Sequence, residues 1–268
     1  MMRLPRIRVL EGLIPSTFIR YKDLVVITII MEGFGALLLV SAPRTIQLPQ
    51  DTDILYVVAP SVVISIVTAI YFLARGIVGS IRKSQLLLGL SYIFLSLYFL
   101  WPYFYFLGNK TYISKYVCGA MMCGLIIFLA LNLYVVARGL LRQNNASKVL
   151  IIVLLVGVLS ISLASILSGF TLAIEIISFM FLLPIASILM YIFWIIGRQT
   201  KFLSPRISMV SWGLFAVLSI LWMMINGLAG ILLELVFLPV LLMLIGHIVL
   251  TLEIKINSLA EEIEMLRS

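Results

Sequence analysis

Four side chains stand out for the chemistry that their types and surroundings could support: Glu32, Glu234, Glu175 and His247. Each falls within or at the edge of a long apolar run, and no Lys or Arg lies inside those runs to pair with it. A carboxyl group in lipid is expensive unless it is neutral and hydrogen-bonded or faces water and a cation. The three carboxyls and the histidine are therefore candidates for a proton or cation pathway, with interhelical hydrogen bonding to Ser and Thr as the simpler alternative. Glu32 lies near the middle of its run, and Glu175 lies close to the end of its own. Glu234 follows the Asn226-Gly227 break by a helical rise of roughly 10 Å. His247 comes thirteen residues after Glu234, which at about 100° per residue places the two on nearly opposite helix faces. They cannot both line one lumen.

The elements that must carry these groups follow from composition. The chain has 268 residues, of which 63% are hydrophobic and 11% charged, with a mean hydropathy of +1.22. A soluble chain is about 45 to 50% apolar and about 25% charged, so this one lacks the polar surface to live in water. It reads as an all-α, polytopic membrane bundle of about eight transmembrane helices. The spans run Leu24 to Ser41, Ile54 to Ala74, Leu86 to Leu107, Tyr116 to Ala137, Val149 to Phe170, Leu172 to Ile196, Ile207 to Ile225 and Gly227 to Leu252. The breaks at Gly169-Phe170-Thr171 and Asn226-Gly227 are the weakest, and losing either would reduce the count. Lys and Arg accumulate on cytoplasmic loops, and with eight spans sixteen of the 19 basic residues fall on one side. Both termini are expected in the cytoplasm of a multi-pass cell-membrane protein. Span one is expected to be retained rather than cleaved, because Glu32 interrupts it and Pro43 follows the small residues Val40-Ser41-Ala42.

Three regions result: a basic interfacial segment at 1–23, the bundle at 24–252 and a cytoplasmic amphipathic helix at 253–268. In the first, Leu4, Ile7, Leu10 and Ile14 recur at helical spacing among basic residues, as expected for a segment lying on anionic lipid headgroups. In the last, Leu252, Ile256, Leu259, Ile263 and Leu266 alternate steps of four and three, the seam of a short coiled coil. Two heptads are marginal alone in water, so that seam should pack on a second copy, a partner subunit or the chain's own basic loops. Spans that run inward end alike, with Tyr71 before Arg75, Tyr134 before Arg138 and Trp194 before Arg198, the ordinary interfacial anchor. Gly157, Ser160, Ala164 and Ser168 form one small-residue stripe, and Ser61, Ser65 and Thr68 another; close helix packing is the favoured reading of both. Asn132, like His247, reads either as a packed, hydrogen-bonded group or as one with a role in proton transfer.

An enzyme is not expected. One histidine cannot provide bis-histidine haem ligation, no span carries a lysine for a retinal Schiff base or an aspartate for intramembrane proteolysis, and H-E-x-x-H and phosphate-loop motifs are absent. No cofactor or metal site is indicated. The tail looks like the linker of a membrane sensor, but no kinase domain follows it here. The leading function class is transport or translocation: a channel, a carrier or the membrane passage of a larger import or export machine. A non-catalytic subunit of a respiratory or electron-transfer complex, and a sensor or scaffold acting through its last helix, are the alternatives. Other membrane subunits or self-association are expected alongside lipid.

The Ile/Leu-rich spans, the scarcity of His and Cys, the basic inner loops and the size together resemble the polytopic membrane component of the archaeal Ced-type DNA-import system. That resemblance covers general make-up and no signature motif. It implies a membrane passage working with small membrane partners and a cytoplasmic ATPase on nucleic acid. Arg75, Arg82, Lys83, Arg138, Arg142 and Lys148 would then be polyanion contacts at the inner mouth, and otherwise they are topology determinants.

Overall fold

The structure, a computed structural model, describes residues 19–41, 54–78, 82–107, 113–141, 143–169, 174–200, 202–224 and 235–267. Among these, all regular structure is helical: α1 (Tyr21–Ser41), α2 (Ile54–Val78), α3 (Arg82–Leu107), α4 (Ile113–Leu140), α5 (Gln143–Ser168), α6 (Ile174–Gln199), α7 (Ser204–Met224) and α8 (Phe237–Arg267). Each holds a stretch long and apolar enough to cross a membrane. The cause is the one that composition implied, since a chain in hydrocarbon must satisfy every backbone N–H and C=O internally and a helix does so within one segment. The protein is a multi-pass membrane protein.

Several helices run past the edges that hydropathy marks. α2 continues to Val78, α4 to Leu140 and α6 to Gln199, while α1 begins at Tyr21 and α7 at Ser204. A helix has no reason to stop at the hydrocarbon boundary, because long Lys and Arg stems carry their charges outward while the backbone stays helical. Asp23 thereby joins the first turn of α1. The break after span five is real: α5 stops at Ser168, and Gly169 follows with φ of 59°. A left-handed residue at that position ends a helix, and glycine adopts it without steric cost. Pro60 and Pro184 lie inside α2 and α6. Pro239 falls in the first turn of α8, where its missing N–H would have had no helical partner anyway. The region 225–234, including the Asn226-Gly227 break, lies outside the described residues. The division at 252/253 is not a break, since α8 is one helix from Phe237 to Arg267.

α6 is the hub and packs against α1, α4, α5 and α7. In its membrane-length stretch 61% of residues are buried, against 22% in α5 and in α8, which places those two at the periphery. Met180, Leu183, Ile185, Ala186, Ile188, Leu189 and Ile192 are all fully buried on α6, the all-round apolar character of a helix enclosed by others. α2 and α3 pack closely as a hairpin. A side chain at Gly76 would strike Leu86, and one at Gly89 would strike Leu73. Ser61, Ser65 and Thr68 on α2 are fully buried. The outer surface is apolar across the helices, for example Ile30 and Leu37 on α1, Val63 and Ile70 on α2, and Leu159 and Ile166 on α5. A surface of that kind belongs against lipid.

Candidate functional site

α1 buries one face, formed by Leu24, Thr28, Glu32, Gly35, Leu38 and Leu39. Glu32 is the charged-type residue among them, and its exposure is 0%. Neither carboxyl oxygen has a hydrogen-bond partner among the described residues. The Thr28 hydroxyl one turn away already donates to the Leu24 carbonyl at 2.9 Å. Space for the carboxyl comes from α5. A Cβ on Gly157 would lie 3.0 Å from Glu32 Oε1 and 2.3 Å from Cε1 of Phe181 on α6. Glu32 therefore sits at the junction of α1, α5 and α6, over a bare patch of α5 backbone and beside an aromatic ring. It is eleven residues into α1, roughly 17 Å along the axis and so near mid-bilayer. An ionised carboxylate without a partner is costly in such a niche, so charge there requires a cation or water to accompany it.

The other candidates distribute differently. His247, on α8, donates from Nδ1 to the Met243 carbonyl at 3.2 Å, and its ring meets Phe72 of α2 edge-on at 4.5 Å. Phe72 in turn stacks on Tyr92 of α3 at 5.8 Å. His247 is thus part of an aromatic packing column between α8, α2 and α3, and its described partners are not those of Glu32. Glu175 is the second residue of α6, with its side chain outside the described residues, and Glu234 lies outside them altogether. Asn132 resolves into an interhelical tie, its Oδ1 accepting from Ser84 Oγ at 2.6 Å between α4 and α3. The α5 stripe of Gly157, Ser160, Ala164 and Ser168 is a packing surface: Ala164 and Ser168 are buried, and Gly157 admits Phe181 and Glu32.

Basic residues gather at one end of the bundle. Arg20 and Lys22 precede or begin α1, Arg75 closes α2, Lys83 opens α3, Arg138 closes α4, Lys148 opens α5, Arg198 closes α6 and Arg206 opens α7. Cross-helix contacts tie these ends together. Arg75 donates to Thr251 Oγ1 of α8, and the Tyr191 hydroxyl of α6 donates to Asp23 of α1 at 2.8 Å, while Asp23 also has Arg20 at 3.7 Å within its own helix start. Arg75 lies 6.0 Å from the Tyr71 ring centroid and Arg198 5.0 Å from that of Trp194, so two of the three aromatic–arginine anchors are direct contacts. Lys83, Arg138 and Lys148 are exposed; the side chains of Arg82 and Arg142 lie outside the described residues. Arg75, engaged with Thr251, is less open than the resemblance implies.

Two features carried no advance signal. Glu253 of α8 accepts the N–H groups of Leu203 at 2.6 Å and Ser204 at 3.3 Å. It caps α7 from another helix, because Leu203, whose carbonyl accepts the first turn's bonds, has no side-chain acceptor of its own. A cavity of about 40 Å³ also lies among α3, α4, α6 and α7, walled by residues such as Tyr92, Phe99, Phe179, Trp212 and Phe215. It is nearly devoid of polar surface and shares no lining residue with the Glu32 niche. Among the described residues no cluster of His, Cys, Asp and Glu could hold a metal ion.

Neither protein-family models, nor curated protein sequences, nor solved structures match this chain.

Proposed function

We propose that this multi-pass membrane protein is a transport or translocation component in which Glu32 binds and releases a proton or cation. The observation that carries the reading is the fully buried mid-span carboxyl with neither oxygen bonded among the described residues. A purely structural membrane carboxyl is ordinarily tied to hydroxyls or backbone. An unpaired one has no evident role in holding α1 to α5 and α6. A Glu32→Gln protein reconstituted in liposomes tests it, with a pH-sensitive dye or a cation indicator reporting flux under an imposed potential. Flux falls by about 10-fold or more if the carboxyl is the carrier group; flux equal to that of the unaltered protein sinks the proposal.

The concentration of exposed Lys83, Arg138 and Lys148 at one end supports a second, finer reading. That end faces the cytoplasm of a cell and meets a polyanion such as nucleic acid, together with a cytoplasmic ATPase, in the manner of the Ced-type machine. Retention of single-stranded DNA by proteoliposomes, falling steeply with salt, checks it; retention unaffected by replacing these three residues with Gln would overturn it. The protein acts without chemistry of its own in either reading.

A further inference from the structure

The apolar stripe on α8 does not end where the bundle does. α8 has 31 residues, about 46 Å at 1.5 Å per residue, against a hydrocarbon core of about 30 Å. Two contacts mark the level at which it leaves its neighbours: Arg75 on Thr251, and Glu253 on the start of α7. Beyond them the sequence turns aqueous, with Lys255, Glu261, Glu262, Glu264 and Arg267. Yet Ile256 and Leu259 are 63% and 57% exposed there. They continue a single face, since Leu238, Ile245 and Leu252 are exposed above them at strict seven-residue steps. Val240, Met243 and Gly246 are buried on the opposite face against the bundle. Lipid can cover the upper part of the stripe. It cannot cover the lower.

We propose that the occupant is a second copy of this chain, whose α8 runs parallel to the first and forms a two-stranded coiled coil from Leu252 onward. Three things on this helix select that partner. Copies inserted in one membrane share an orientation, so a two-fold axis along the membrane normal makes their α8 helices parallel. The seam places Ile256 and Ile263 at a positions and Leu252, Leu259 and Leu266 at d positions, the arrangement of β-branched a and leucine d that favours parallel dimers over higher assemblies. The register also places Glu262 at g and Arg267 at the following e, opposite charges at the positions that face each other across a parallel pair. Two heptads are too few to associate from dilute solution. Anchoring both helices in one bilayer supplies the high effective concentration that makes them sufficient.

The test is disulfide trapping in native membranes, using a background with Cys118→Ser and Cys123→Ser and one new cysteine per variant. Leu252→Cys and Leu259→Cys should give a dimer at twice the 30.0 kDa of the chain, about five-fold more abundant than from Ile254→Cys at the outward f position. Adding Ile256→Lys to Leu259→Cys should abolish the band, while the monomer still elutes as a single peak in mild detergent. No trapped product, equal trapping at Ile254, or a product of another mass would overturn the proposal. The result is independent of whether Glu32 carries an ion.

Discussion

Gly157→Ala probes the Glu32 niche with the smallest available change. The added methyl lies 2.3 Å from Cε1 and 2.9 Å from Cδ1 of Phe181, and 3.0 Å from Glu32 Oε1. The first two distances are well inside van der Waals contact, so the ring must move. Phe181 is half-buried, within a helix whose next four residues, Leu182 to Ile185, are almost fully buried, which leaves the ring only its own two side-chain torsions to turn about. Overpacking of this type costs about 1 to 3 kcal/mol. The helical gain of Ala over Gly, about 0.5 to 1 kcal/mol, works in the opposite direction and is smaller. Gly33→Ala isolates that gain, since Gly33 neighbours Glu32 on α1 and a Cβ there meets nothing within 4 Å. Unfolding in mild detergent, followed by tryptophan fluorescence against denaturant, should rank Gly33→Ala equal to or above the unaltered protein and Gly157→Ala below it. Phe181→Leu, by shortening the ring that collides, should recover most of the loss in the Gly157→Ala background, a coupling of about 1 kcal/mol or more between residues in contact. A neutral Gly157→Ala, or a double variant that is merely additive, would refute the niche geometry.

Ser84→Ala removes the donor that ties α3 to Asn132 of α4 at 2.6 Å and leaves a buried amide oxygen unpaired, for an expected loss of about 1 to 3 kcal/mol. The same fluorescence measurement checks it, and no change would mean that the tie contributes nothing. Glu253→Ala strips the cap from Leu203 and Ser204 and should cost about 1 kcal/mol. Amide exchange at 203–206 should speed up in that variant while exchange in mid-α7 stays unchanged. Uniform acceleration along α7 would show that Glu253 holds more than the helix start.

What sequence shows and what it hides divide along one physical line. Hydropathy measures each segment against lipid, and that contest decides the number and rough extent of the helices, so among the described residues the eight apolar runs are matched by eight helices, and Gly169 ends α5 where glycine marked the break. The arginine anchors were equally legible, because Tyr71 with Arg75 and Trp194 with Arg198 are four apart on one helix and meet by local geometry alone. Pairing between helices is a different contest. With lipid as apolar as leucine, no hydrophobic force selects a partner, and the choice falls to small residues and isolated polar groups. The α5 stripe announced that something would approach Gly157, but not that it would be Glu32 and Phe181. Glu253 shows the same limit, since its partner amides lie about fifty residues earlier in the chain. Glu32 and His247, each a candidate for handling protons or cations, separate for this reason. Each was unusual in its own span, and only packing could assign one to a carboxyl niche between α1, α5 and α6 and the other to the ring column of Phe72 and Tyr92. A variant of His247 should therefore disturb the α2–α8 contact without altering the behaviour of Glu32, and the two sites stand or fall separately.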